Sequence, residues 1–338
     1  AVDRIAACYP GHQCRIEVTQ VSTPVRILAK LLRPMVPLLK ETALRDSVSR
    51  FRDFDALVVP ELGSLRLKRR LPNLPIILTQ HGAGDGAAGF DSRIAQADFI
   101  LVPGRKLERR YRGDQLIRNG NYAVVGYPKF DAIDKVVPDA RPVFDDERTV
   151  VLYNPHFDSR RSSWHKWGTK VLDFFADHTD RYDLIFAPHV KLFEQWLRRG
   201  AYLPPRFLRC PNIHIDLGGP ASADMTYTRT ADIYLGDVSS QIYEYLRNPR
   251  PCVFLNSHGV DWEKDPNYAH WHFGPVVNDI SELGMMLDRA MAEHTKFRPV
   301  QEHAFADTFV FTEPSAVVNA ARAILKFITR RELSRNSS

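Results

Sequence analysis

The sequence predicts an α/β protein built from two doubly wound domains in tandem, and three observations predict it. The chain has 338 residues, enough for two domains. Short apolar runs alternate with helix-forming stretches, the pattern of buried parallel strands joined by crossover helices. The alternation is interrupted once, by a polar stretch with two prolines at 138–148, and then resumes. The expected division is an N-terminal domain over 1–137, a linker over 138–148 and a C-terminal domain over 149–314. A helix over 315–330 is expected to pack back on the first domain, followed by a frayed polar tail over 331–338.

The first domain opens with the tail of a helix over 2–9, closed by Pro10-Gly11, and an alternating strand over 15–21. A strand is expected before that helix, so the chain reads as beginning one strand late. Residues 24–40 follow. Val25, Leu28, Leu31 and Leu32 fall on one helical face, ringed by Arg26, Lys30 and Arg33, and Pro34 and Pro37 break it. This stretch reads either as a segment lying in a membrane interface or as a core-facing helix with a solvated basic rim. Strands are predicted at 56–60, 75–80, 99–102 and 122–126. Basic helices are predicted around 65–70 (Arg66, Lys68, Arg69, Arg70) and 105–112.

In the second domain strands are predicted at 149–153, 184–187, 213–216, 233–235 and 252–255. Helices are predicted at 163–178, 191–199, 222–230, 241–247 and 280–294. Tandem domains of this kind bind ligands at the carboxyl ends of their strands, so a facing pair is expected to hold its ligand in the cleft between them.

Composition narrows the partners. Lys and Arg number 46 against 40 Asp and Glu, a formal +6. A mildly basic chain has either a basic surface with no partner, or an anionic substrate, membrane surface or nucleic acid. Nucleic acid is set aside, because no basic patch interleaves with aromatics in a known module. No apolar run reaches the roughly eighteen residues of a membrane-spanning helix. No signal-peptide pattern is present, and the opening at Ala1 rather than Met leaves room for residues upstream. Cys8, Cys14, Cys210 and Cys252 are scattered with no C-x-x-C, which suits a reducing cytosol and argues against a disulfide framework or structural zinc.

The stretch 231–256, ADIYLGDVSSQIYEYLRNPRPCVFLN, reads as strand, turn, helix, strand. Ser239 and Ser240 stand where the helix starts. Free backbone N–H groups there, with two hydroxyls, make either an anion site or an ordinary serine N-cap. Glu244, four residues on, shares a face with Ser240 and offers an acceptor for a ribose. Other strand ends carry histidines. The 75–80 strand runs into His81-Gly82-Ala83-Gly84-Asp85-Gly86, a loop able to approach a ligand closely, with His81 as a candidate base. It matches neither a Walker loop nor G-x-G-x-x-G. The 184–187 strand ends in Pro188-His189 with Lys191 beyond, and the histidine and the lysine both suit a phosphate. The 149–153 strand ends in Asn154-Pro155-His156-Phe157-Asp158, then Arg160 and Arg161: a basic loop that touches an anionic ligand or is simply solvated. His270 and His272 are spaced to share a metal, but no carboxylates converge on them, so no metal is expected.

Taken together these motifs resemble the CDP-glycerol glycerophosphotransferase family, which builds teichoic-acid-type glycerol-phosphate polymers. The resemblance rests on Thr79-Gln80-His81-Gly82, Tyr153-Asn154-Pro155, Ala187-Pro188-His189, Ala231-Asp232 with Asp237-Val238-Ser239-Ser240, Arg250-Pro251 and Phe273-Gly274-Pro275, in that order along most of the chain. Three positions depart from the family pattern. Val238 replaces a tyrosine, Ala187 an arginine, and His156-Phe157-Asp158 a Thr-aromatic-Arg run.

The resemblance implies a GT-B-like fold of two facing Rossmann-like domains with mainly parallel sheets. It implies transfer of a polyol phosphate, glycerol phosphate first, from a CDP-linked donor to an acceptor hydroxyl in envelope or capsule polymer synthesis. His81 and His189 are then catalytic, and Ser239, Ser240 and Lys191 bind donor phosphate. Asp237, Glu244 and Pro188 contact the nucleotide; Gly82, Asp85, His156 and Arg160 lie on the acceptor or phosphate side. A CDP-linked donor substrate is implied; no cofactor is assigned, and the sequence does not give the metal dependence. The acceptor would be lipid-linked or a saccharide, and the site of action cytoplasmic, peripheral at the inner membrane face through 24–40. Two other functions fit the same plan: a GT-B nucleotide-sugar glycosyltransferase or epimerase, and a catalytically silent binding subunit of an envelope assembly complex.

Overall fold

A computed structural model describes residues 6–9, 11, 13–15, 17, 42–137, 142–194 and 202–336. The amphipathic stretch 24–40, most of the 15–21 strand, part of the 138–148 linker and the end of the 191–199 helix lie outside the described residues. The chain divides into two compact units. One holds the described residues of 2–83, 88–136 and 306–338; the other holds 84–87 and 137–305. The second unit thus closes at 305 rather than 314, and it takes in four residues of the glycine-rich loop.

In the first unit, β1 (Leu57–Val59), β2 (Ile76–Thr79), β3 (Phe99–Val102) and β4 (Tyr122–Val124) form a parallel sheet in sequence order. Ile76, Ile77 and Leu78 are fully buried, as a central parallel strand covered on both faces requires. The helix Ala316–Asn336 packs on this sheet. Ala320, Ala323, Ile324 and Phe327 join Ile77, Phe99, Leu101 and Val125, and the Phe99 and Phe327 rings stack with centroids 4.7 Å apart. It continues to Asn336, where the sequence pattern predicts a frayed tail from 331. Arg331 accounts for the extension: its guanidinium bonds the Asp98 carboxylate at 3.4 Å and the Asn73 carbonyl at 3.3 Å.

The second unit holds six parallel strands: β5 (Thr149–Asn154), β6 (Tyr182–Phe186), β7 (Ile213–Ile215), β8 (Ile233–Gly236), β9 (Cys252–Leu255) and β10 (Val276–Val277). Their order is β10-β9-β8-β5-β6-β7. The chain runs outward from β5 through β6 to β7, then crosses back and runs outward the other way from β8. The strand order therefore reverses between β5 and β8, with Asn154 paired to Gly236 at their carboxyl ends. That is the position at which a doubly wound sheet opens a crevice for ligands.

Several helices differ from the sequence pattern. The 222–230 helix is two short pieces, Pro220–Ala223 and Thr226–Thr230, separated at Met225, whose φ of 64° is left-handed. The 241–247 helix is only Gln241–Tyr245. The helix His294–Thr308 went unread because Pro299 lies inside it and no apolar stripe marks it. Its fully buried Gln301 anchors it by donating to the carbonyls of Phe273 at 2.8 Å and Arg250 at 3.1 Å. Among the described residues no helix is long and apolar enough to cross a membrane.

Candidate functional site

Asp237 directly follows β8 and is fully buried. Its carboxylate accepts four hydrogen bonds: the His156 and Val238 amides reach Oδ1, each at 2.8 Å, and the Ser163 amide (2.6 Å) and hydroxyl (2.9 Å) reach Oδ2. The carboxylate expected to contact a nucleotide instead clamps the loop after β5 to the end of β8. Burial pushes its carboxyl above the ordinary value, and the bonds from Ser163, His156 and Val238 pull it back. Asn154 makes a second tie, its side-chain amide donating to the Ala187 carbonyl at 2.6 Å beyond β6. The ends of β5, β6 and β8 are thus held as one rigid platform.

Two histidines stand on that platform. His156, after β5, and His189, after β6, meet edge to face with ring centroids 5.8 Å apart. Phe157 touches both, at 4.4 and 4.5 Å. Each imidazole accepts at Nδ1 a backbone N–H from two residues on: Asp158 N for His156 (3.0 Å) and Lys191 N for His189 (3.1 Å). Both neutral rings therefore carry their proton at Nε2 and present a donor there. Lys191 is exposed, its Nζ 5.4 Å from the Phe157 ring, while Pro188 is buried beneath. Arg160 is pulled aside, with its side chain 83% exposed and bonded to Asp158 at 3.1 Å. That bond holds the Asp158 carboxyl down at about 2.

Ser239 and Ser240 immediately precede the five-residue helix and are half-buried. Ser240 makes no side-chain cap, whereas Ser239 Oγ accepts the Gln241 amide at 3.3 Å. Glu244 is buried, 6% exposed.

The loop 84–87 packs onto this helix start. Asp85, expected on the acceptor or phosphate side, is instead buried and accepts at Oδ2 from Tyr243 OH (2.6 Å) and from the His270 amide (3.1 Å), with His270 Nδ1 at 3.0 Å. His270 Nε2 and Trp271 Nε1 both face the Asp237 carbonyl, at 3.0 and 2.9 Å. The ring nitrogens of His270 thus serve this network, and His272 turns away to the Glu263 carbonyl. A Cβ on Gly84 would lie 3.0 Å from Ser240 Cβ and 3.1 Å from its Cα. The close approach the glycine allows is therefore to the helix start itself. Gly84→Ala is expected to cost about 1–3 kcal/mol through this overpacking; a denaturation midpoint equal to wild type would contradict the contact.

His81 and Gly82 belong to the other unit. His81 is exposed, with Nδ1 2.9 Å from the Pro60 carbonyl, and its own carbonyl accepts from Tyr127 OH at 3.1 Å. Two motif residues prove structural. The Asp232 carboxylate accepts the Val150 amide at 2.9 Å, and Arg250 donates to the carbonyls of Thr228 (2.6 Å) and Arg229 (3.2 Å). Sequence reasoning missed Ser163, Tyr243 and the role of His270. The paired histidines at 270 and 272 were the one visible signal; the sequence set a metal aside there and gave no sign of the distant Asp85 partner.

No protein-family model matches the chain, and no curated protein sequence matches it. Solved structures do. The wall teichoic acid polymerase TagF superposes with a TM-score of 0.53 at 16% identity, covering 77% of this chain and 70% of that one. The UDP-GlcNAc 2-epimerase of Neisseria meningitidis, bound to UDP-GlcNAc, gives 0.56 at 12% identity, covering 97% and 88%. The Methanocaldococcus jannaschii UDP-GlcNAc 2-epimerase gives 0.52 at 12%, covering 79% and 80%. The chain has the GT-B-like α/β fold of these proteins, with two parallel sheets.

Proposed function

We propose that this chain is a transferase moving a polyol phosphate, glycerol phosphate in the first instance, from a CDP-linked donor to an acceptor hydroxyl in envelope or capsule polymer synthesis. The observation that carries the reading is the His156–His189 pair. Both rings are fixed with Nε2 as donor; Asp237 ties the His156 loop to the start of the Asp237-Val238-Ser239-Ser240 motif, and Asn154 ties the end of β5 to the β6 end that carries His189. Donors held in advance around developing phosphoryl charge are what this chemistry requires.

In this reading Ser239 and Ser240 receive the donor diphosphate. His189, with Lys191 and His156 nearby, stabilises charge on the phosphoryl oxygens and the leaving CMP. Glu244 holds the ribose beside Pro188, and His81, next to Gly82, takes the proton of the acceptor hydroxyl. The bond broken joins the transferred phosphorus to the CMP oxygen, and the bond formed joins it to the acceptor oxygen. Phosphoryl transfer rests mainly on positioning and charge stabilisation, which this set of residues supplies. A lipid-linked or saccharide acceptor, and peripheral contact with the inner membrane face through 24–40, complete the proposal.

The similarity to UDP-GlcNAc 2-epimerases along nearly the whole chain supports a second reading, a UDP-sugar enzyme on the same plan. Thermal shift with CDP, CMP, UDP and GDP separates the two, because a ligand that binds only the folded state raises its melting temperature. CDP and CMP are expected to give the larger shifts; a clear preference for UDP favours the second reading.

A further inference from the structure

Beside Val238 the second unit has a solvent-open pocket of about 180 Å³, lined by Gly86, Ala87, Arg161, Val238, Asp265, Asn267 and Tyr268. Water's share of liquid volume is ~30 Å³, so the pocket has room for about six waters. That admits a phosphate carrying a short polyol.

Its polar lining is incompletely paired. Among the described residues, the half-buried Arg161 guanidinium makes no hydrogen bond or ion pair. The Asp158 carboxylate near it is bonded to Arg160 instead. The Tyr268 hydroxyl likewise has no hydrogen-bond partner among the described residues. Burial raises the Tyr268 phenol above its ordinary value while the Arg161 charge pulls it down, so it remains a proton donor at neutral pH. Asp265 uses Oδ1 to accept the Asn267 amide and side-chain N–H, each at 2.8 Å. The pocket thus offers a cation and a phenol donor for an oxyanion, with a carboxylate acceptor for hydroxyls. A guanidinium with open donors at a pocket wall binds an oxyanion through charge-assisted bonds.

We propose that this pocket is the subsite for a small phosphorylated polyol, with Arg161 and Tyr268 donating to its phosphate and Asp265 accepting from a hydroxyl. The assignment deepens the polyol-phosphate reading above and rests on it for the identity of the ligand. Val238 borders the pocket and precedes Ser239, so a phosphate here lies beside the residues assigned to the donor diphosphate.

The test is calorimetric titration of the full chain with three probes: glycerol 3-phosphate, inorganic phosphate and CMP. Wild type is expected to bind glycerol 3-phosphate more tightly than inorganic phosphate. Arg161→Gln should weaken glycerol 3-phosphate at least tenfold, and Tyr268→Phe about threefold to tenfold, with CMP binding unchanged in both. Tyr268→Phe keeps the ring packed on Trp271, so it reads the hydroxyl even if Arg161→Gln unfolds. Unchanged glycerol 3-phosphate affinity in folded Arg161→Gln and in Tyr268→Phe overturns the subsite, as does no binding to wild type. Equal affinity for inorganic phosphate overturns the polyol assignment. Arg161-dependent binding of glycerol 3-phosphate with no binding of CMP upholds the subsite while removing the CDP-donor reading.

Discussion

Asp237→Ala is expected to destabilise the folded chain by about 3 kcal/mol or more. The substitution strands the buried amides of Val238 and Ser163 and the half-buried amide of His156, which have the Asp237 carboxylate as acceptor. Each buried donor left without a partner costs roughly 1–3 kcal/mol, and three together exceed any gain from removing a buried charge. Asp237→Asn should recover only part of the loss. One amide oxygen still accepts, but its NH₂ must face either the Ser163 donors or the two amides at Oδ1. Urea denaturation with the slope held constant measures the effect. A midpoint near wild type for Asp237→Ala would show that the carboxylate does not hold the strand ends together.

The second large effect falls on chemistry. His189→Ala is expected to lower donor turnover by about a hundredfold or more, the usual loss when a charge-stabilising or proton-transferring group is removed. His189→Gln should return part of that loss, because its amide N–H reaches the region of the lost Nε2–H while the backbone is unchanged. His81→Ala is expected to lose activity on the same scale, with no rescue by Gln if its role is to accept a proton. Steady-state turnover, with melting temperatures for each variant, separates the roles. Near-full activity in His189→Ala would remove the ring from the mechanism.

Much of the fold was legible because buried parallel strands write themselves as apolar runs. Residues 76–78 and Ile233–Gly236 are buried throughout, and their sequences show it. The strand ends followed, and with them His81, His156, His189 and Ser239–Ser240. What could not be read was how polar groups pair over distance. Asp85 and His270 are 185 positions apart, and Asp237 reaches Ser163 across 74. A carboxylate next to two serines looks the same in sequence whether it meets a ligand or closes a buried network. The glycine loop misled for a related reason: close approach at Gly84 is real, but the partner is Ser240. The short Gln241–Tyr245 helix was overestimated because Leu246 and Arg247 are good helix formers, and nothing local showed where the turn ends. The helix at 294–308 was hidden by Pro299, since a proline inside a polar stretch usually marks a break.

The central claim is transfer of a phosphoryl group from a CDP-linked polyol. The most direct measurement is identification of the released nucleotide after incubation with CDP-glycerol, and in parallel with UDP-linked sugars, in the presence of a lipid or saccharide acceptor. The account predicts acceptor-dependent CMP from CDP-glycerol and no turnover of the UDP-sugars. Release of UDP from a UDP-sugar, or its epimerisation, with CDP-glycerol left intact, would contradict it.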